Sequence, residues 1–116
     1  MGKKPMSLKP DIKLTGLGDG FGLTVGSIDE ESIEFFNEQG LDGNGHTWGG
    51  VVESIIRLEM SDAYDQLSLS PEADDLLVTC DRRVLLEQLS EHVHRYAADE
   101  SLMARAIENA DPDWLD

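Results

Sequence analysis

The run Gly16-Leu17-Gly18-Asp19-Gly20-Phe21-Gly22 invites a chemical reading first, because glycine loops can aim backbone N–H groups at a phosphate. It has the G-x-G start but lacks the glycine three positions on. No Lys-Ser or Lys-Thr follows, and a strand rather than a helix is expected next. A hairpin turn is the better reading. His92 and His94 lie two apart on an expected helix, about 200° around its axis, so one is expected against the core and the other in solvent. Zinc binding would call for His-x-x-x-His or paired Cys-x-x-Cys spacing. Cys80 with a histidine and an acid is the raw material of a nucleophile and base pair, but its run Leu76-Leu77-Val78-Thr79-Cys80 marks a small buried hydrophobe. No G-x-S-x-G is present. Asp62, Asp65, Glu72, Asp74 and Asp75 crowd one stretch, yet their spacing departs from the twelve-residue calcium loop with its central glycine. With 24 carboxylates, a general-acid pair assembled in space stays open and too easily matched by chance to count. No catalytic residue, metal ligand or cofactor is assigned.

The elements that would position these residues follow from periodicity. Phe21, Leu23 and Val25 alternate with Gly22, Thr24 and Gly26, which favours strand. A hairpin turning at Gly18-Asp19-Gly20 joins residues 11–16 to 21–28, since Asp-Gly tolerates the positive φ of a tight turn. Asp29-Glu30-Glu31-Ser32 suits a helix N-terminus, with Ile33, Phe36 and Gly40 suggesting a short helix. The alternative is an extended segment with Ile33 and Phe35 facing inward. The clearest helix is residues 47–60, where Trp48, Val51, Val52, Ile55 and Ile56 share a face, Glu53 and Arg57 pair on the opposite side, and Thr47 is the expected N-cap. The adjacent Gly49 and Gly50 suggest that another element packs close. Leu67-Ser68-Leu69, a turn over Ser70-Pro71-Glu72-Ala73-Asp74, and residues 75–80 form a second hairpin. Residues 82–97 bring Val84, Leu85, Leu89, His92, Val93 and Tyr96 to one face after an Asp81 cap, and a last helix over 100–110 buries Leu102, Met103, Ala106 and Ile107 before Asp111-Pro112 stops it. Two hairpins with three or four helices predict an α+β domain, a small antiparallel sheet with helices packed on one face.

At 116 residues and 12.8 kDa the chain has room for a single domain over residues 1–116, and its 40% hydrophobic content supplies one ordinary core. The first ten residues, with Pro5 and Pro10, are expected to be loose. A formal charge of −15, from 24 acidic and 9 basic residues, disfavours direct nucleic-acid binding and docking on an anionic membrane. Residues 1–28 are the exception, with Lys3, Lys4, Lys9 and Lys13 against Asp11 and Asp19. One cysteine, no signal-like apolar run after Lys3-Lys4 and no spanning segment lead us to expect a cytoplasmic protein. The acidic surface is either a solvated face or a docking site for a cationic protein, which its long-range field would attract.

Gln39-Gly40-Leu41-Asp42-Gly43-Asn44-Gly45-His46-Thr47-Trp48 resembles the Gly-x-x-Gly-Asn-Gly-aromatic-x-Trp segment of the bacterial immunity protein 51 family. Leu69–Val78 is similar to that family's strand, Ser/Pro-Glu-Ala turn and return strand, and Ala110–Asp116 resembles its closing segment. Together these cover about residues 21–116. His46 departs from the expected tyrosine-like aromatic, and Asp74-Asp75-Leu76 from a small and apolar stretch. In physical terms the segment is a fold device: Gly43 and Gly45 for a tight loop, Asn44 for a local hydrogen bond or left-handed backbone, Trp48 as core anchor. The resemblance implies a non-catalytic antitoxin that neutralises a cognate polymorphic toxin, for instance a nuclease, by stoichiometric occlusion. Our expectation is that contacts come from Glu30, Glu31, Glu34, Glu38 and Asp42, with Glu72, Asp74 and Asp75 as a competing patch. An acidic interaction module without a toxin, homodimeric in one form, is the alternative.

Overall fold

The computed structural model describes residues 8–26 and 30–115. Strands β1 (Asp11–Leu17) and β2 (Gly20–Gly26) form the first hairpin, and β3 (Ser68–Pro71) and β4 (Asp75–Cys80) the second. Antiparallel pairing of β2 with β4 joins them into one four-stranded sheet of order β1-β2-β4-β3. The helices are α1 (Glu30–Glu38), α2 (Gly45–Glu59), α3 (Arg83–Ala97), α4 (Glu100–Asn109) and the short α5 (Pro112–Leu115), with a 3-10 turn at Ser61–Gln66 after α2. The α+β expectation holds.

Register decides which sheet face is covered. Leu23 opposes Val78 and Val25 opposes Leu76, and all four are fully buried. Helices α2 and α3 lie on that face, and α4 and α5 pack against α2 on its far side. Being sandwiched, α2 has no solvent side along its middle: every residue from Thr47 to Ile56 is buried. This corrects the placing of Glu53 on an exposed face. Its pairing with Arg57 is as expected, at 2.8 Å from Nε, and the Tyr64 hydroxyl donates a second hydrogen bond to the same oxygen at 2.7 Å. On that oxygen, Oε2, a cation and a hydroxyl replace the water of a buried carboxylate, while Oε1 is buried without a hydrogen-bond partner among the described residues. The hydrogen bond to Glu53 raises the Arg57 pKa, and raises that of Tyr64 as well.

Other expectations are corrected locally. Asn44, not Thr47, caps α2, which starts two residues earlier than its apolar stripe indicates. Asp81 is not the cap of α3; Arg82 holds that position without a side-chain cap bond. Val84 is 46% exposed, and Leu86 takes the place in the core that periodicity had given it. His92 is half-buried and His94 exposed, as expected. The first hairpin turns on Gly18 and Asp19 without positive φ, the left-handed glycines among the described residues being Gly40 and Gly43. Ser70 and Pro71 belong to edge strand β3, where a missing N–H is tolerated. Leu8, within the stretch expected to be loose, is instead buried, and its N–H donates to the Ala97 carbonyl at 3.0 Å. Residues 1–7, with Lys3, Lys4 and Pro5, lie outside the described residues, as does Asp29 in the expected cap of α1. That segment is helical, and it buries Phe36 while Ile33 remains 37% exposed.

Candidate functional site

The Gly43-Asn44-Gly45 segment is the point where three parts of the fold meet. The Asn44 side-chain oxygen accepts hydrogen bonds from the N–H groups of His46 and Thr47, both at 3.1 Å. Two of the otherwise unpaired donors at the start of α2 are satisfied this way. Gly43 takes φ +77°, a left-handed backbone, and donates its N–H to the Thr47 hydroxyl at 3.0 Å. A side chain on Gly43 would touch Ile33 and Phe36 of α1, and one on Gly45 would overlap the carbonyl oxygens of Glu72 and Asp75. Those two residues close the β3–β4 turn, Glu72 N–H donating to Asp75 O at 2.8 Å. Trp48 is fully buried one turn further along, edge-on to Phe36 with ring centroids 5.2 Å apart. The four motif residues thus seat α1 on one side of the α2 N-terminus and the β3–β4 turn on the other.

The two acidic groups singled out from the sequence flank this junction. Glu30, Glu31, Glu34 and Glu38 are exposed on α1, and Asp42 is exposed in the loop that follows. Their spacing repeats every three or four residues, so Glu30 and Glu31 both line up with Glu34 and Glu38 along one ridge. None of the five has an ion-pair partner among the described residues. Glu72 and Asp74 are exposed on the turn, while Asp75 is half-buried at the start of β4. His46 is exposed on the first turn of α2. What the sequence treats as two competing patches therefore borders one structural joint. Contact between Gly45 and the turn, 27 residues on, had no local signal beyond the glycine itself.

Elsewhere the polar groups serve packing. Cys80 is buried and its sulfur accepts the Arg82 N–H at 3.4 Å. No cluster of three metal-ligating side chains exists among the described residues. The Tyr96 hydroxyl donates to Glu59 at 2.6 Å, and Arg95 lies 3.2 Å from the other oxygen of that carboxylate. The hydrogen bond from Tyr96 is the main cause holding Glu59 below its usual pKa, so its contribution is present above its ordinary value of 4.5 and lost in acid. Burial, then the bond to Glu59, pushes Tyr96 up to about 12 from 10.0. A raised pKa means the stabilisation is complete below pH 10.0 and lost as pH climbs through about 12. Wild-type protein is thus expected to lose about 2 kcal/mol more than Tyr96→Phe between those limits. Urea unfolding of both proteins at pH 9 and 11.5 checks it, and parallel losses would refute it.

No curated protein and no solved structure matches the chain. No helix among the described residues is long and apolar enough to cross a membrane. A family model described as Immunity protein 51 matches residues 20–112. That span runs from β2 to the start of α5 and includes the Asn44-capped junction and the turn seated on Gly45, so the chain belongs to the immunity protein 51 family, a family of immunity proteins directed against toxins.

Proposed function

We propose that the protein neutralises a basic cognate toxin by stoichiometric occlusion, without catalysis, docking the carboxylates around the α2 N-terminus onto the toxin's cationic groove. The observation that supports this is the row Glu30, Glu31, Glu34, Glu38 and Asp42: five exposed carboxylates with no ion-pair partner among the described residues, on a chain of net charge −15. Carboxylates without internal ion-pair partners can turn toward an external cation without breaking a bond inside the fold, so only their desolvation and ordering oppose docking. Their field also raises the encounter rate with a cationic surface. A nuclease toxin suits such a face, because a groove built to hold phosphates has the opposite charge. Glu72 and Asp74 would extend the contact from the turn. The protein would act in the cytoplasm of the producing cell, with no cofactor and no direct nucleic-acid or membrane contact.

The test is to co-purify the tagged protein with the product of the adjacent gene and to titrate that product's toxicity or nuclease activity. One-to-one binding that abolishes activity is the expected result. A folded protein that leaves its neighbour unbound and active would overturn the reading.

A further inference from the structure

The two edges of the sheet differ. β3 is four residues long and contains Pro71, which blunts it against further pairing. β1 has seven residues, no proline and, among the described residues, no strand on its outer side, which leaves its outward N–H and C=O groups to pair with another strand. It also precedes the family match, which begins at residue 20. The usual protection of such an edge is charge, and here it is cancelled: Lys13 sits 3.8 Å from Asp11 of the same strand. The four strands carry one lysine and two aspartates between them, so the sheet is nearly neutral in a chain of −15. Its uncovered face presents Thr15, Thr24, Thr79, Ser68 and Ser70, with Leu17 48% exposed.

From this edge we infer that β1 pairs antiparallel with β1 of a second copy, extending the sheet to eight strands across a two-fold axis. Two chains of −15 repel wherever acidic helices face each other, and the sheet edge is where they approach at least electrostatic cost. Full-length pairing of residues 11–17 sets Leu14 opposite itself, Ile12 across from Gly16, Lys13 across from Thr15 and Asp11 across from Leu17. No like charges meet in that register. An extended strand is the ligand chemistry that unpaired ladder groups accept, and the second copy brings one of matching length and neutral charge. The inference is independent of the toxin reading, since it uses a different face.

Sedimentation equilibrium of the full chain is expected to show a dimer that strengthens by about threefold or more between dilute and 0.3 M salt, as screening removes the mutual repulsion. Toxin docking through carboxylates has the opposite salt dependence. Thr15→Lys places a lysine across from Lys13 twice in the dimer, and is expected to weaken it by about tenfold. Thr15→Glu is expected to tighten it, although it makes each chain more acidic. Thr15 is exposed, so both variants keep the fold. Hydrogen exchange provides the structural readout: alternate β1 amides become slower as protein concentration rises. A chain that stays monomeric up to millimolar concentration overturns the inference, as does a dimer indifferent to both Thr15 variants. β1 amides protected only when the toxin is added would give the edge to a toxin strand, and would equally overturn it.

Discussion

Gly45→Ala is expected to cost about 3 to 5 kcal/mol, enough to unfold a domain of ordinary marginal stability at modest urea concentration. The new methyl group would overlap two backbone carbonyl oxygens, those of Glu72 and Asp75. Neither can rotate aside as a flexible side chain would, and the Glu72 N–H to Asp75 O bond ties the turn to that geometry. Either the β3–β4 turn lifts from α2, breaking contacts beside Trp48, or α2 unwinds at its cap. Two other glycines calibrate the effect. Gly40→Ala keeps open space but sits at φ +80°, and is expected to cost about 1 kcal/mol. Gly18→Ala has neither a close neighbour nor a positive φ and is expected to be near neutral, or stabilising by restricting the unfolded chain. Urea denaturation of the three variants checks the order; Gly45→Ala within 1 kcal/mol of wild type would mean that the turn does not rest on this helix start.

The same residue shows what a linear sequence conceals. Both hairpins, the short α1 and the long apolar stripe of α2 are local features, carried by alternation in β2 and by intervals of three and four at Trp48, Val51, Val52, Ile55 and Ile56. The order in which the sheet assembles is legible only in outline, because pairing of β2 with β4 joins residues about fifty to sixty positions apart. Burial of Glu53 was hidden for a related reason. Periodicity reports which face of a helix is apolar, whereas a central helix covered on both sides also buries its polar face. The caps differ from the sequence expectation because backbone conformation decides the helix start: Asn44, three residues before Thr47, takes the cap of α2, and α3 begins after Arg82, which makes no side-chain cap bond, rather than after Asp81. The acidic residues of the candidate site were all visible as letters. Their gathering around one joint depends on Gly43 and Gly45, whose close contacts come from elements distant in the chain.

Reversing Glu31, Glu34 and Glu38 together to lysine is expected to slow association with the toxin by about ten- to a hundredfold in dilute salt and to flatten the salt dependence of the rate. All three are exposed, so each substitution should leave stability within about 0.5 kcal/mol of wild type. The change also moves the net charge from −15 to −9, so a control must separate patch from total charge. Reversing Asp65, Glu91 and Glu108 makes the same total change at exposed positions away from α1. If the carboxylate ridge meets the toxin, the first triple variant loses both association rate and affinity, whereas the control loses a few-fold in rate and keeps its dissociation rate. Equal losses would mean that the whole field steers the encounter and the contact lies elsewhere. Unchanged kinetics for the ridge variant in dilute salt would remove α1 from the interface. Glu72→Lys with Asp74→Lys then distinguishes the two sides of the joint. A loss there of the same kind, adding to that of the ridge, is expected if one toxin surface spans both, because separated charges on a rigid joint contribute independently.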